Sequence, residues 1–178
     1  MERPTETRSS RRTVLRYGML VGSAGLYHSA FGGWVPAALA ESGNRDVTIL
    51  HAALYLEHEA IAAYEAGAAS GLLSKEVLSV AAAFMEDHKY HRDGIAGAIK
   101  TLGDAPDPAK SGYRFGALRT ADDILKLALQ LESGAATAYR TLASSVQNRT
   151  VLGFAAHILA DEVRHMTVLR TVLKLPTY

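Results

Sequence analysis

Six ionisable side chains of this chain have the types and spacing to bind divalent metal: Glu57, His88, His91, Glu132, Glu162 and His165. Glu162 and His165 stand three residues apart, as do His88 and His91. On a helix that spacing puts both side chains of a pair on one face, within reach of a common centre. Carboxylate and imidazole donors together suit iron, manganese or zinc. Each motif is weak when taken alone, because most Glu-x-x-His pairs are solvated neighbours and most buried histidines are structural. Their coincidence is what carries weight.

The sequence repeats itself around these residues. Leu56-Glu57-His58-Glu59-Ala60-Ile61-Ala62-Ala63-Tyr64 matches Leu131-Glu132-Ser133-Gly134-Ala135-Ala136-Thr137-Ala138-Tyr139 at an offset of 75. Asp87-His88-Lys89-Tyr90-His91 matches Asp161-Glu162-Val163-Arg164-His165 at an offset of 74. A twofold repeat of this kind sets equivalent residues around one axis, where a two-metal site belongs.

Four amphipathic helices must position the six residues. Periodicity places them at residues 46–70, 75–102, 120–145 and about 150–174. Ser74, Thr120 with Asp123, and Asn148 or Thr150 provide N-terminal caps; Gly71, Gly103 and Pro176 provide stops. The first and third connections are short, so each flanking pair forms an antiparallel hairpin. Between the hairpins, residues 103–119 are rich in Gly and Pro. At ~3.3 Å per extended residue that segment can run back along a helix of ~37 Å, a crossover connection.

The inward stripes follow from steps of three and four residues. They are Leu50, Leu54, Glu57, Ile61, Tyr64 and Ala68 in the first helix, and Ala81, Phe84, His88, His91, Ile95, Ala98 and Leu102 in the second. In the third they are Leu125, Leu129, Glu132, Ala136, Tyr139 and Ala143, and in the fourth Leu152, Ala155, Leu159, Glu162, Met166, Leu169 and Leu173. Each apolar stripe is interrupted at mid-length by ionisable groups. Three buried, unpaired carboxylates would cost several kcal/mol each, a cost that bound cations would offset. His51, His58 and His157 fall off the stripes, and Glu59, Glu65 and Glu76 read as a solvated face.

This arrangement resembles the ferritin-like superfamily over about residues 46–175, most like its rubrerythrin-like and export-signal-bearing branches. The resemblance implies an all-α, ferritin-like antiparallel four-helix bundle made of two hairpins joined by a long crossover. It also implies a dinuclear centre of two divalent metal ions, iron or manganese, with zinc as an alternative. Its ligands would be Glu57, His88, His91, Glu132, Glu162 and His165. Tyr64, Tyr139, Asp87 and Asp161 would hydrogen-bond those ligands. One position departs from the family: His88 stands where a carboxylate is usual, and Glu86 cannot replace it, lying about 200° around the helix. The change lowers the negative charge and admits an asymmetric pair, a single metal or zinc, or a supporting role for His88 with Asp87 contributing to the site.

Residues 1–40 read as a targeting segment. Ser10-Arg11-Arg12-Thr13-Val14-Leu15-Arg16 resembles the twin-arginine export signature, an apolar stretch follows over residues 17–35, and Ala38-Leu39-Ala40 offers a cleavage site. The glycines, Ser23, His28 and Ser29 of the apolar stretch make it a poor membrane anchor. The expected partition is a signal peptide over 1–40 and a bundle over 41–178, delivered by the twin-arginine machinery to a periplasmic or extracellular space.

The whole chain has a net charge of +1 with His neutral. Residues 1–40 hold five bases and two acids, so residues 41–178 keep 14 and 16, a net charge of −2. No basic stripe remains to support nucleic-acid binding. The chain has no Cys, which excludes disulfides and thiolate metal sites. The superfamily makes a small oxidant, oxygen or peroxide, or the metal ion itself the expected partner, and admits a homodimer. It points to ferroxidase, peroxidase or catalase-like oxidoreductase chemistry. The rivals are a metal-holding protein without turnover and a stress-protective bundle that has lost its site. The sequence after the fourth helix offers no short fifth helix, which counts against a large storage shell.

Overall fold

The computed structural model describes residues 45–177. The expected signal peptide and cleavage site lie outside the described residues. Among the described residues four helices follow in order: α1 (Arg45–Ala69), α2 (Lys75–Thr101), α3 (Ala121–Ala143) and α4 (Arg149–Val172). The expected boundaries hold to within two residues, because the caps are where the sequence puts them. Ser74 accepts from the Val77 amide at the start of α2. Thr120 and Asp123 form a reciprocal capping box on α3, and the Asn148 side chain accepts from the Thr150 and Val151 amides on α4. Gly103 ends α2 with a φ of 89°, a conformation open to glycine at little cost.

The architecture is the expected one, two helical hairpins forming an all-α four-helix bundle. α1 packs on α2 and α3 packs on α4; the hairpins meet chiefly through α1 and α3. The crossover over residues 102–120 is tied down along α1. His51 Nδ1 lies 2.7 Å from Asp107 Oδ2, and His58 Nε2 lies 3.3 Å from the Asp107 carbonyl. Lys110 Nζ sits 4.2 Å above the Tyr55 ring. His51 is therefore largely covered rather than exposed, with its side chain 12% accessible. Glu59 is likewise covered by this segment, and burial raises its carboxyl pKa against the pull of Lys110. Glu65 and Glu76 are exposed, as expected.

Two apolar plugs cap the middle of the bundle. One gathers Leu54, Ile95, Ile99, Tyr139 and Ile158 with their neighbours; the other gathers Tyr64, Ala81, Phe84, Ala128 and Leu169. Along every helix the six ionisable residues fall between the two plugs.

The stripes need correction away from the centre. In α4 the buried line is Val151, Ala155, Ile158, Glu162, His165 and Leu169, while Leu152 is exposed and Leu159 and Met166 are only half-buried. In α3, Ile124, Ala128, Leu131, Ala135 and Ala138 are buried, while Leu125, Leu129, Ala136 and Ala143 are only half-buried. Ala68 of α1 is exposed. A bundle helix buries a face wider than one stripe, and close packing of α3 on α4 turns that face by about one residue.

Candidate metal centre

All six candidate residues are buried, Glu57 and His88 at 1% exposure and His91, Glu132, Glu162 and His165 at 0%. Their donor atoms form two groups that share His88 and Glu162. One joins Glu57, His88, His91 and Glu162; the other joins His88, Glu132, Glu162 and His165. The structure thus brings together every residue that the sequence singles out.

Partners around the two groups obey the repeat. The Tyr64 hydroxyl donates to Glu132 Oε1 from across the bundle, and the Tyr139 hydroxyl donates to Glu57 Oε1. His91 Nε2 lies 3.1 Å from Asp161 Oδ2, and His165 Nε2 lies 3.0 Å from Asp87 Oδ2. Each outer carboxylate fixes an imidazole so that its Nδ1 faces the centre. All four supporting residues expected from sequence therefore touch candidate ligands.

Arg164 is a member that sequence reasoning missed. Its guanidinium reaches Asp87 Oδ2 at 2.7 Å and Asp161 Oδ1 at 2.9 Å, joining the two outer carboxylates. Its spacing of three residues from Asp161 was the available signal. Phe84 stacks on His165 with ring centroids 3.9 Å apart and closes that side.

His88 breaks the symmetry. Its Nδ1 lies 2.8 Å from Glu57 Oε2, and its Nε2 lies 3.3 Å from Glu132 Oε1. The ring spans the two halves at the position that Glu162 occupies on the opposite side of the axis.

Electrostatics follow from this crowding. Burial alone would raise the Glu57 carboxyl, but the hydrogen bond from His88 and the charge of His88 and His91 outweigh it and hold the pKa down to about 2. Burial is likewise overcome at Glu132, where His165 and His88 keep the carboxyl well below its ordinary range. Glu162 goes the other way: burial and repulsion from Glu132 and Glu57 push it far up. Burial would lower His88, yet Glu132 and Glu57 raise it well above the ordinary imidazole value.

The donor set fits a divalent metal. His91 Nδ1, Glu132 Oε2, both Glu162 oxygens and His165 Nδ1 are buried without a hydrogen-bond partner. They face one another at 3.4 to 3.5 Å, as His165 Nδ1 does Glu132 Oε2 and His91 Nδ1 does Glu162 Oε1. Native interiors rarely leave such atoms unpaired, and divalent cations would satisfy them within the two groups.

The sequence matches the ferritin-like domain family over residues 45–175. The chain belongs to that family. No curated protein matches it. Among solved structures it is similar to a conserved hypothetical protein from Mycobacterium tuberculosis, with 26% identity and a TM-score of 0.68 over 72% of this chain and 90% of that one. It is also similar to a dodecameric thioferritin, the bacterioferritin-related protein of Bacteroides fragilis, with 25% identity and a TM-score of 0.65 over 72% and 84% of the two chains. A ferritin-like, diiron-carboxylate protein from Bacillus anthracis shares the fold at 24% identity, with a TM-score of 0.64 over 73% and 99%.

Proposed function

We propose that this ferritin-like chain holds divalent metal, iron or manganese, at the Glu/His centre and works there on dioxygen or peroxide. The observation that carries the reading is the set of five buried donor atoms on four residues that face one another without hydrogen-bond partners. A redox-active metal bound there supplies the electrons that an oxygen or peroxide reaction exchanges. The protein's own part is to fix the ligands and keep water away. Asp87 and Asp161 orient His165 and His91, Tyr64 and Tyr139 hold Glu132 and Glu57, and the apolar plugs close both ends.

An apolar cavity beside the centre supports dioxygen as the oxidant within this reading. A cavity of about 160 Å³, lined by Ala81, Ala128, Leu131 and Leu169 among other apolar groups, ends on Tyr64 and Phe84. Those two rings touch Glu132 and His165. Metal-loaded protein is expected to consume peroxide or to accelerate ferrous oxidation, and metal-free protein to do neither. Loaded protein inert in both assays would reject the catalytic reading. A metal-holding role without turnover is the second reading, favoured by His88 in place of a fourth carboxylate.

The reading extends to export by the twin-arginine machinery, supported by Arg11-Arg12 and Ala38-Leu39-Ala40. Replacing Arg11 and Arg12 by Lys is expected to leave the protein in the cytoplasmic fraction. Unchanged fractionation would reject this route.

A further inference from the structure

The two halves of the centre differ in how their carboxylates are engaged. Both oxygens of Glu57 are taken, Oε1 by the Tyr139 hydroxyl and Oε2 by His88 Nδ1 at 2.8 Å. Glu132 is engaged only through Oε1, by Tyr64 and by His88 Nε2 at 3.3 Å; its Oε2 is free of hydrogen bonds. Around that oxygen stand His165 Nδ1 at 3.4 Å and the unpartnered carboxylate of Glu162.

A neutral imidazole carries one N–H and one lone pair. If Nδ1 donates to Glu57, the lone pair is on Nε2 and faces Glu132 Oε1. Two acceptors 3.3 Å apart repel unless a cation or a proton lies between them. An imidazole with one lone pair serves one cation, whereas a carboxylate in its place, like Glu162 across the axis, offers two oxygens and can bridge.

We propose that the centre is functionally asymmetric and binds one divalent cation tightly, through Glu132, Glu162, His165 and His88 Nε2. The inference rests on the metal-centre reading above and assigns its occupancy. Glu57 is then a positioning residue: it fixes the His88 tautomer, as Asp87 fixes that of His165, and Tyr139 holds Glu57 in turn. A second cation in the Glu57 half would have to displace the His88 N–H from Glu57 Oε2.

The test is equilibrium dialysis of the metal-freed full-length chain against Mn²⁺, with metal counted by plasma mass spectrometry and the bound ion examined by electron paramagnetic resonance. One equivalent with an uncoupled manganese spectrum is expected. His88→Glu is expected to raise the count toward two and to introduce spin coupling between the ions. Glu57→Gln should retain its equivalent with affinity lowered by about 10–100-fold, as for any outer partner of a ligating histidine, while Glu132→Gln loses the ion. Two equivalents with a coupled spectrum in the wild type would overturn the inference, as would Glu57→Gln losing the ion as fully as Glu132→Gln. The wild-type count and spectrum decide the matter even where a variant fails to fold. No binding of Mn²⁺, Fe²⁺ or Zn²⁺ would reject the metal-centre reading itself, and the inference with it.

Discussion

His88 and Glu162 occupy equivalent positions of the two repeats, 74 residues apart, and meet across the axis with Nδ1 3.7 Å from Oε1. One side of the axis thus presents an imidazole and the other a carboxylate. The pair shares both donor groups, so its chemistry governs the whole centre. Against burial, Glu132 and Glu57 raise the His88 pKa, and burial with repulsion from Glu132 and Glu57 raises that of Glu162, while the Glu57 and Glu132 carboxyls are held low.

These shifts predict how stability of the metal-free protein varies with pH. The Glu162 and His88 pKa values are raised in the folded state. Above their ordinary values the folded chain therefore holds protons that the unfolded chain has lost, and stability falls as pH rises through that window. Glu57 acts at the other end: its pKa of about 2 contributes stability above its ordinary value near 4.5, lost as pH falls toward 2. Thermal melts in chelator should show a melting temperature that declines from mildly acidic toward alkaline pH. Glu162→Gln should flatten the decline, and saturating metal should reverse it, since ligands bind metal without their protons. An alkaline-stable chelated wild type would contradict the raised pKa values of Glu162 and His88.

The tyrosines should matter through the carboxylates they hold. Tyr64 and Tyr139 each donate to a buried, ionised glutamate. Tyr64→Phe and Tyr139→Phe should each cost about 1.5–3 kcal/mol, the range for hydrogen bonds to charged groups, measured by denaturant unfolding in chelator. The two losses are expected to be similar, because the repeat gives both rings the same task. A loss below about 0.5 kcal/mol in either variant would show that its hydroxyl does not support the carboxylate.

Most of this centre was legible in the sequence because its residues sit at helix positions that the repeat fixes twice. Glu57 and Glu132, His91 and His165, and Asp87 and Asp161 each confirm the other's placement. Elements closed by capping chemistry were legible too, as the Thr120 and Asp123 box is a local signal. What escaped depends on contacts between distant segments. The burial of Val151 and Ile158 over Leu152 and Leu159 is set by how α4 leans on α3, and apolar residues lie on both lines. The covering of His51 and Glu59 depends on the path of the crossover, which its Gly and Pro content leaves open. The role of Asp46 was hidden for the same reason.

Asp46 stands in the first turn of α1 and reaches the connection between α3 and α4. Its two carboxylate oxygens accept from the Gln147 amide at 3.0 Å and the Asn148 amide at 2.7 Å. Asn148 in turn caps α4. Asp46→Ala would leave two amides without their acceptor at a largely covered site, a loss of about 1–3 kcal/mol. Asp46→Asn should recover part of that, as its single carbonyl oxygen can serve one amide. Denaturant unfolding of both variants checks the ranking. Equal stability of Asp46→Ala and wild type would mean that water replaces the carboxylate without cost.

Asp87 and Asp161 offer a sharper test of asymmetry, because the repeat gives each the same place behind one histidine. Each lies about 3 Å from the outer nitrogen of one histidine, and Arg164 touches both. If a single cation sits in the His165 half, Asp87→Asn loosens a ligand, whereas Asp161→Asn loosens only His91. Removing an outer partner of a ligating histidine weakens metal binding by about 10–100-fold. Asp87→Asn should therefore lower Mn²⁺ affinity by that factor, and Asp161→Asn by less than about threefold. Titration of each variant by isothermal calorimetry provides the comparison. Equal weakening in both would restore the twofold character of the centre and place cations in both halves.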